Sequence, residues 1–229
     1  LGFNSLDDYL THSTHMGATA GRFANRIDGG KFTLDGQHYQ LPLNQAGKHS
    51  LHGGGPGFGF GVRPWTIVHH SHNSVTLLLV SPDGDAGYPG AVTVQCRYTL
   101  AEPATLRVEL SAITDKATII NLCHHSYFNL DGSPDILDHT LSVRANVWTP
   151  VNDDLIPDGT LQPVAGSPID FRVARPVRHM NGDGTRFWYD HNYILRRDHE
   201  EPCAMTGLLA AHAATLASPR SGLAMEVWT

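Results

Sequence analysis

Ala91-Val92-Thr93-Val94-Gln95-Cys96-Arg97-Tyr98-Thr99-Leu100 alternates for ten residues, with Val92, Val94, Cys96 and Tyr98 on one face. A period of two is the repeat of an extended chain, whose successive side chains point to opposite sides. The segment therefore predicts a strand with one buried face. Thr105-Leu106-Arg107-Val108-Glu109-Leu110-Ser111-Ala112 alternates too, and its partner is open between its neighbours on either side. Upstream, residues 65–69 and 74–80 predict two strands around His72-Asn73. Lys31-Phe32-Thr33-Leu34 runs into Asp35-Gly36 and then Gln37-His38-Tyr39-Gln40-Leu41, which is a β-hairpin carrying the strongest short turn signal. Downstream, residues 139–145 alternate again, and 187–195 and 223–229 predict two more strands. Between them Trp148-Thr149-Pro150 opens a loop rich in Asn, Asp, Pro and Gly that runs to Gly166. The helical candidates are short: residues 6–10, and 208–214, the second equally readable as a strand. Many short strands at this spacing predict an all-β sandwich or barrel with few short helices, in a single domain 1–229.

Composition narrows the function. The 229 residues carry a net charge of −6 and no basic run, which argues against nucleic acid as a partner. No apolar stretch reaches the roughly 18 residues needed to span a membrane, so no membrane partner is expected. Leu1-Gly2-Phe3-Asn4 has neither a basic n-region nor an apolar h-region, so no signal peptide is read. Cys96, Cys123 and Cys203 are far apart and odd in number, which predicts reduced thiols and a cytoplasmic setting. There are 15 histidines. His69-His70 with His72, and His12 with His15, lack a carboxylate or cysteine at ligand spacing and are read as surface histidines, so no metal is expected. The loop Pro82-Asp83-Gly84-Asp85-Ala86-Gly87-Tyr88-Pro89-Gly90 holds two carboxylates but matches no calcium loop, and reads as a glycine-bearing structural turn.

Asn121-Leu122-Cys123-His124-His125-Ser126-Tyr127-Phe128-Asn129-Leu130 sets two imidazoles inside an apolar, strand-like run. Burying an imidazole costs free energy unless it is hydrogen-bonded or faces a wet cavity. Such a histidine is either a satisfied core side chain or a functional one, and this segment alone leaves both open.

Motifs along the rest of the chain bear on that choice. Gly17-Ala18-Thr19-Ala20-Gly21-Arg22-Phe23-Ala24-Asn25-Arg26-Ile27 resembles the N-terminal signature of the aldose 1-epimerases, the galactose mutarotases. Leu51-His52-Gly53-Gly54 resembles their second motif, with His49 where the family usually has asparagine. Ser81 to Gly90 resembles their glycine loop. Thr114-Asp115-Lys116-Ala117-Thr118, Asn121-Leu122 and His125 to Leu130 resemble their histidine motif, with His124 where the family has Asn or Thr. Leu155-Ile156-Pro157-Asp158-Gly159, Asp170-Phe171-Arg172 and Tyr189-Asp190-His191-Asn192 fit in order.

The resemblance implies a large β-sandwich, the galactose mutarotase-like supersandwich, in the cytoplasm, as monomer or homodimer. It implies interconversion of the α and β anomers of a free aldose, galactose or glucose, with no cofactor. Ring opening needs a base on the C1 hydroxyl and an acid on the ring oxygen; imidazole suits the acid, since it holds and releases protons near neutrality. By the resemblance His125 is that proton donor, and His52 hydrogen-bonds the sugar near the ring oxygen and assists it. Period two turns His124 away if His125 faces the cleft. Asn25, Arg26, Tyr127 and Asp190 match substrate-binding positions, while Arg22 is expected to serve as an internal ion-pair or hydrogen-bond partner. The three glycines after His52 are expected to let backbone approach a ligand.

The family's base is a glutamate in a segment after the strand that residues 223–229 resemble. Glu226 does not match it, Glu200 and Glu201 fall in a polar loop, and the domain is expected to be incomplete at both ends. The alternatives are a non-catalytic carbohydrate-binding module on the same scaffold, a sugar-phosphate epimerase, which would need more Arg and Lys than the motifs carry, and a metal-dependent hydrolase.

Overall fold

The computed structural model describes residues 1–12, 15–198, 200–202 (as backbone) and 209–229. These form two compact units, Leu1–Tyr127 and Phe128–Thr229. The first opens with a helix, α1 (Leu6–His12), of which no residue is buried. Its strands follow as β1 (Thr19–Ala20), β2 (Arg26–Ile27), β3 (Lys31–Leu34), β4 (Gln37–Gln40), β5 (Ser50–Leu51), β6 (Thr66–His70), β7 (Ser74–Ser81), β8 (Val92–Ala101), β9 (Thr105–Thr114) and β10 (Cys123–His124). In the second lie β11 (Thr140–Val143), β12 (Ala145–Thr149), β13 (Gln162–Pro163), β14 (Arg175–Pro176), β15 (Asn192–Leu195), β16 (Glu200–Pro202), β17 (Leu209–Ala217) and β18 (Ala224–Trp228). The all-β class holds. No helix among the described residues is long and apolar enough to cross a membrane.

β8 is the centre of an antiparallel sheet ordered β6-β7-β8-β9. The partner of β9 is thus β8, with Cys96 opposite Leu110. Val92, Val94 and Cys96 are almost wholly buried, whereas Gln95 and Arg97 are exposed, as the alternation requires. Val92 and Val94 pack with Phe60, Leu79, Trp65 and Leu122. Each such aliphatic side chain contributes about 1.5–3 kcal/mol by leaving water. The β3–β4 hairpin pairs Leu34 with Gln37 across Asp35 and Gly36. Both turn residues have positive φ, 50° and 79°, the conformation a two-residue hairpin needs for its twist. His69 and His70 are exposed on β6, and His72 is exposed beyond it.

The glycine loop after β7 is structural. Asp85 accepts hydrogen bonds from Arg63 (2.6 Å) and Ser81 (2.5 Å); Asp83 accepts from Lys116 and from the Gly90 N–H, each at 2.6 Å. Arg22 is 1% exposed and donates to the carbonyls of Pro89, Gly90, Ser81 and Pro82 and to Ser81 Oγ. Of the two internal roles expected of it, ion pair or hydrogen-bond partner, these contacts fill the second. Arg22→Met keeps the volume but strands these acceptors, and a loss of about 3 kcal/mol is expected in urea denaturation.

In the second unit β17 pairs with β11, β16 and β18, and β12 lies between β13 and β15. The helical reading of 208–214 is corrected: residues 209–217 form β17, and Leu208 lies outside the described residues. Ala211 and Ala213 are buried at period two, because pairing on both edges outweighs the helical propensity of alanine. Residues 187–191 are not strand, since β15 begins at Asn192. There Phe187 packs on Tyr189 and stacks on His191, and the Tyr189 hydroxyl donates to Val177 O (2.9 Å). Trp148 sits inside β12, paired with Tyr193, rather than opening the loop. The backbone at Glu200 and Glu201 is strand, paired with β17, not loop. Cys203 lies outside the described residues.

Candidate active site

Only Cys123 and His124 of the histidine segment are in a strand, paired with Ala20 and Thr19 of β1. Beyond them the ladder continues as two single bonds: the His125 N–H donates to Ala18 O (2.9 Å) and the Gly17 N–H donates to His125 O (3.2 Å). Both the N–H and the C=O of His125 are therefore held by the Gly17-Ala18 segment, and its side chain faces opposite to that of His124. His124 lies edge-on to Tyr98, ring centroids 5.7 Å apart. Burial, and then repulsion from His125, lowers its pKa.

β2 and β5 bring the next residues in, with Arg26 opposite Leu51. Asn25 and His52 bind each other reciprocally. The His52 N–H donates to Asn25 O (3.0 Å), and the Asn25 N–H donates to His52 Nδ1 (3.1 Å). With Nδ1 accepting, the neutral ring carries its proton on Nε2 and presents a donor. Burial first, then the imidazoles of His15 and His125 and the guanidinium of Arg26, push the His52 pKa down to about 4. Folding thus favours neutral His52. Its contribution to stability is whole above pH 6.5 and drains away between pH 6.5 and about 4. His52→Asn, which tolerates positive φ, should flatten that part of the stability–pH curve measured by denaturant titration.

The rings converge. His52 and His125 are 5.3 Å apart between centroids and edge-on, and Tyr127 lies 5.1 Å from His125. Arg26 donates through Nε to Gln45 Oε1 (2.8 Å) and through a terminal nitrogen to Asn25 Oδ1 (3.1 Å), which fixes the guanidinium plane. His15, Asn25 and His52 have φ of 67°, 65° and 50°. Non-glycine residues in this region cost on the order of 1 kcal/mol and concentrate at functional sites.

Five expected residues (His125, His52, Asn25, Arg26 and Tyr127) therefore lie in Leu1–Tyr127 around one imidazole cluster. Asp190 belongs to Phe128–Thr229, where it is exposed and its N–H donates to His191 Nδ1 (3.2 Å). Two further readings change. The glycine after His52 accommodates protein backbone: a Cβ on Gly53 would meet Gly21 O at 2.0 Å. His15, read with His12 as a surface histidine, has its ring 4.5 Å from His52 and 5.6 Å from His125. Its one local signal is its place two residues before Gly17, where the first motif begins. No group of three potential metal ligands was found among the described residues. His49 is buried and accepts the Gly29 N–H at Nδ1 (3.2 Å), serving the Asp28–Gly30 turn.

The family model described as aldose 1-epimerase matches residues 1–229. The chain belongs to the aldose 1-epimerase family. It is 38% identical to an aldose 1-epimerase of Haemophilus influenzae over 98% of this chain and 64% of that protein. It is 41% identical to a galactose mutarotase of Rattus norvegicus over 100% of this chain and 64% of that one. A solved aldose epimerase homologue from C. elegans superposes with a TM-score of 0.87 at 28% identity, over 99% of this chain and 66% of that one. A galactose 1-epimerase from Lactobacillus acidophilus gives 0.78 at 30%, over 95% and 63%. The all-β sandwich expected of this epimerase family agrees with these likenesses. The chain spans about 64% of the length of the curated relatives it matches.

Proposed function

We propose that this chain carries the acid side of an aldose 1-epimerase site that interconverts the α and β anomers of galactose or glucose. The observation that carries the reading is the pairing of His125 with a neutral His52 whose Nδ1 is occupied by the Asn25 N–H. As the bond between C1 and the ring oxygen breaks, a base takes the C1 hydroxyl proton and C1 becomes an aldehyde carbonyl. His125 gives its proton to the departing ring oxygen, while His52 Nε2–H hydrogen-bonds beside it. Rotation about C1–C2 and reversal of the two proton transfers close the ring on the other face. Arg26, held by Gln45 and Asn25, donates to sugar hydroxyls, as does the Asn25 amide; Tyr127 lies along the sugar's edge. The base is assigned, on the family pattern, to a glutamate outside Leu1–Thr229. The free thiols Cys96 and Cys123 suit a reducing, cytoplasmic setting, with the protein acting as monomer or homodimer in one domain.

Polarimetry on freshly dissolved α-galactose and α-glucose tests the proposal. With the glutamate-bearing segment present, the protein is expected to speed the approach to the equilibrium rotation well above buffer, whereas Leu1–Thr229 alone, without the base, is expected to do little. Saturable sugar binding without acceleration would instead identify a carbohydrate-binding module.

A further inference from the structure

The proposed function uses two imidazoles, yet a third touches both. The turn that carries His15 is tied down locally and at a distance: the Ala18 N–H donates to His15 O (3.0 Å), and Gly17 and Ala18 bond the backbone of His125. The His15 backbone holds φ 67° against the preference of a non-glycine residue, so the surroundings impose its place. The outcome is a triangle of rings with centroid separations of 4.5, 5.3 and 5.6 Å.

We propose that His15 is a positioning residue of this site, the third corner of the triangle, which keeps His52 neutral and donating through Nε2–H as the medium acidifies. This rests on the function proposed above. The groups that act on His52 come from three places: His15 from its turn, His125 from beyond β10 and Arg26 from β2. Each is a cation when charged, and Asn25 and Gln45 beside Arg26 are neutral. Tyr127 lies against His125, and His124 faces Tyr98 on the other side. A proton on His15 places positive charge against the His52 ring and opposes a second proton there. Burial of His15, and then His125, acts on His15 in the same direction. His15 itself donates no proton to the sugar in this scheme.

The test is the titration of the His52 ring followed by NMR in the chain and in His15→Asn, which tolerates positive φ and cannot become cationic. The His52 midpoint is expected to rise by about one pH unit, the scale of a like charge at this distance in a partly wet site. The acid limb of kcat/KM in polarimetry is expected to rise with it. If His15→Asn does not fold, His15→Gly, which takes this φ freely, carries the same measurement. An unmoved or lowered midpoint overturns the proposal, including the case in which the variant merely melts earlier. A raised midpoint with an unmoved acid limb in an active protein overturns the positioning role. A raised midpoint in a protein that epimerises no sugar at any pH refutes the proposed function and leaves the coupling of His15 to His52 standing.

Discussion

His125→Ala should lower kcat for mutarotation about 10²–10⁴-fold, the usual contribution of a positioned general acid. The substitution removes the ring and leaves the backbone bonds intact: the N–H still reaches Ala18 O, and the carbonyl still accepts from Gly17. The variant should therefore fold, at a cost of about 1 kcal/mol from lost ring contacts with His15, His52 and Tyr127. KM should change little, since the donated proton matters as the ring bond breaks and less when the sugar merely binds. His52→Ala makes the contrast. It deletes a donor and also the acceptor of the Asn25 N–H, so binding and turnover should both suffer. Rates for His125→Ala within tenfold of the parent would show that another group protonates the ring oxygen.

Gly53→Ala is expected to be the most damaging single methyl in the described structure, with a loss of about 4 kcal/mol or more in denaturant titration. Two penalties combine. The residue has φ 83°, where a Cβ is strained, and that Cβ would stand 2.0 Å from Gly21 O and 2.5 Å from the Arg22 nitrogen. Neither obstacle is the end of a flexible side chain, so backbone has to move, and it is the backbone between β1 and the buried Arg22. Gly36→Ala is the internal reference. Its φ is 79°, but nothing lies within 4 Å of the added methyl, so only about 1 kcal/mol of backbone strain is expected. The difference between the two variants measures the clash alone. Equal losses would mean that the Gly21 segment yields freely. Because Gly53 follows His52, the Gly53 variant should also disturb the Asn25–His52 pair.

Much of this protein was legible before folding. The alternation in residues 91–100 named the buried face of β8 from Val92 to Cys96, because a strand's period is local and needs no partner to be seen; beyond it Tyr98 is half-buried and Thr99 buried, against the alternation. Asp35-Gly36 named its hairpin because two positive φ values are a demand on two residues only. Arg22, beside the glycine motif, reads as structural, and its buried hydrogen bonds to the Ser81–Pro82 and Pro89–Gly90 segments bear that out. Local pattern left one segment open and misread another, and long-range packing decided both. The alanine-rich run at 209–217 is strand because β11 and β18 flank it, and 187–191 leaves the strand because Phe187, Tyr189 and His191 pack on one another.

The sequence by itself determined the family and the strand-rich class and nominated His52, His125, Asn25 and Arg26 for the proposed site, because motif spacing and residue chemistry are written in the chain. The tertiary structure alone decided which imidazoles meet. His15, His52 and His125 are distant in sequence, and their rings converge only because β1 pairs with β10 and β2 with β5. It alone decided the tautomer of His52, through an N–H 27 positions away, and showed that Gly53 is a glycine for the sake of Gly21 O. Charge state and close approach depend on what lies across space, and no local pattern of residues records that.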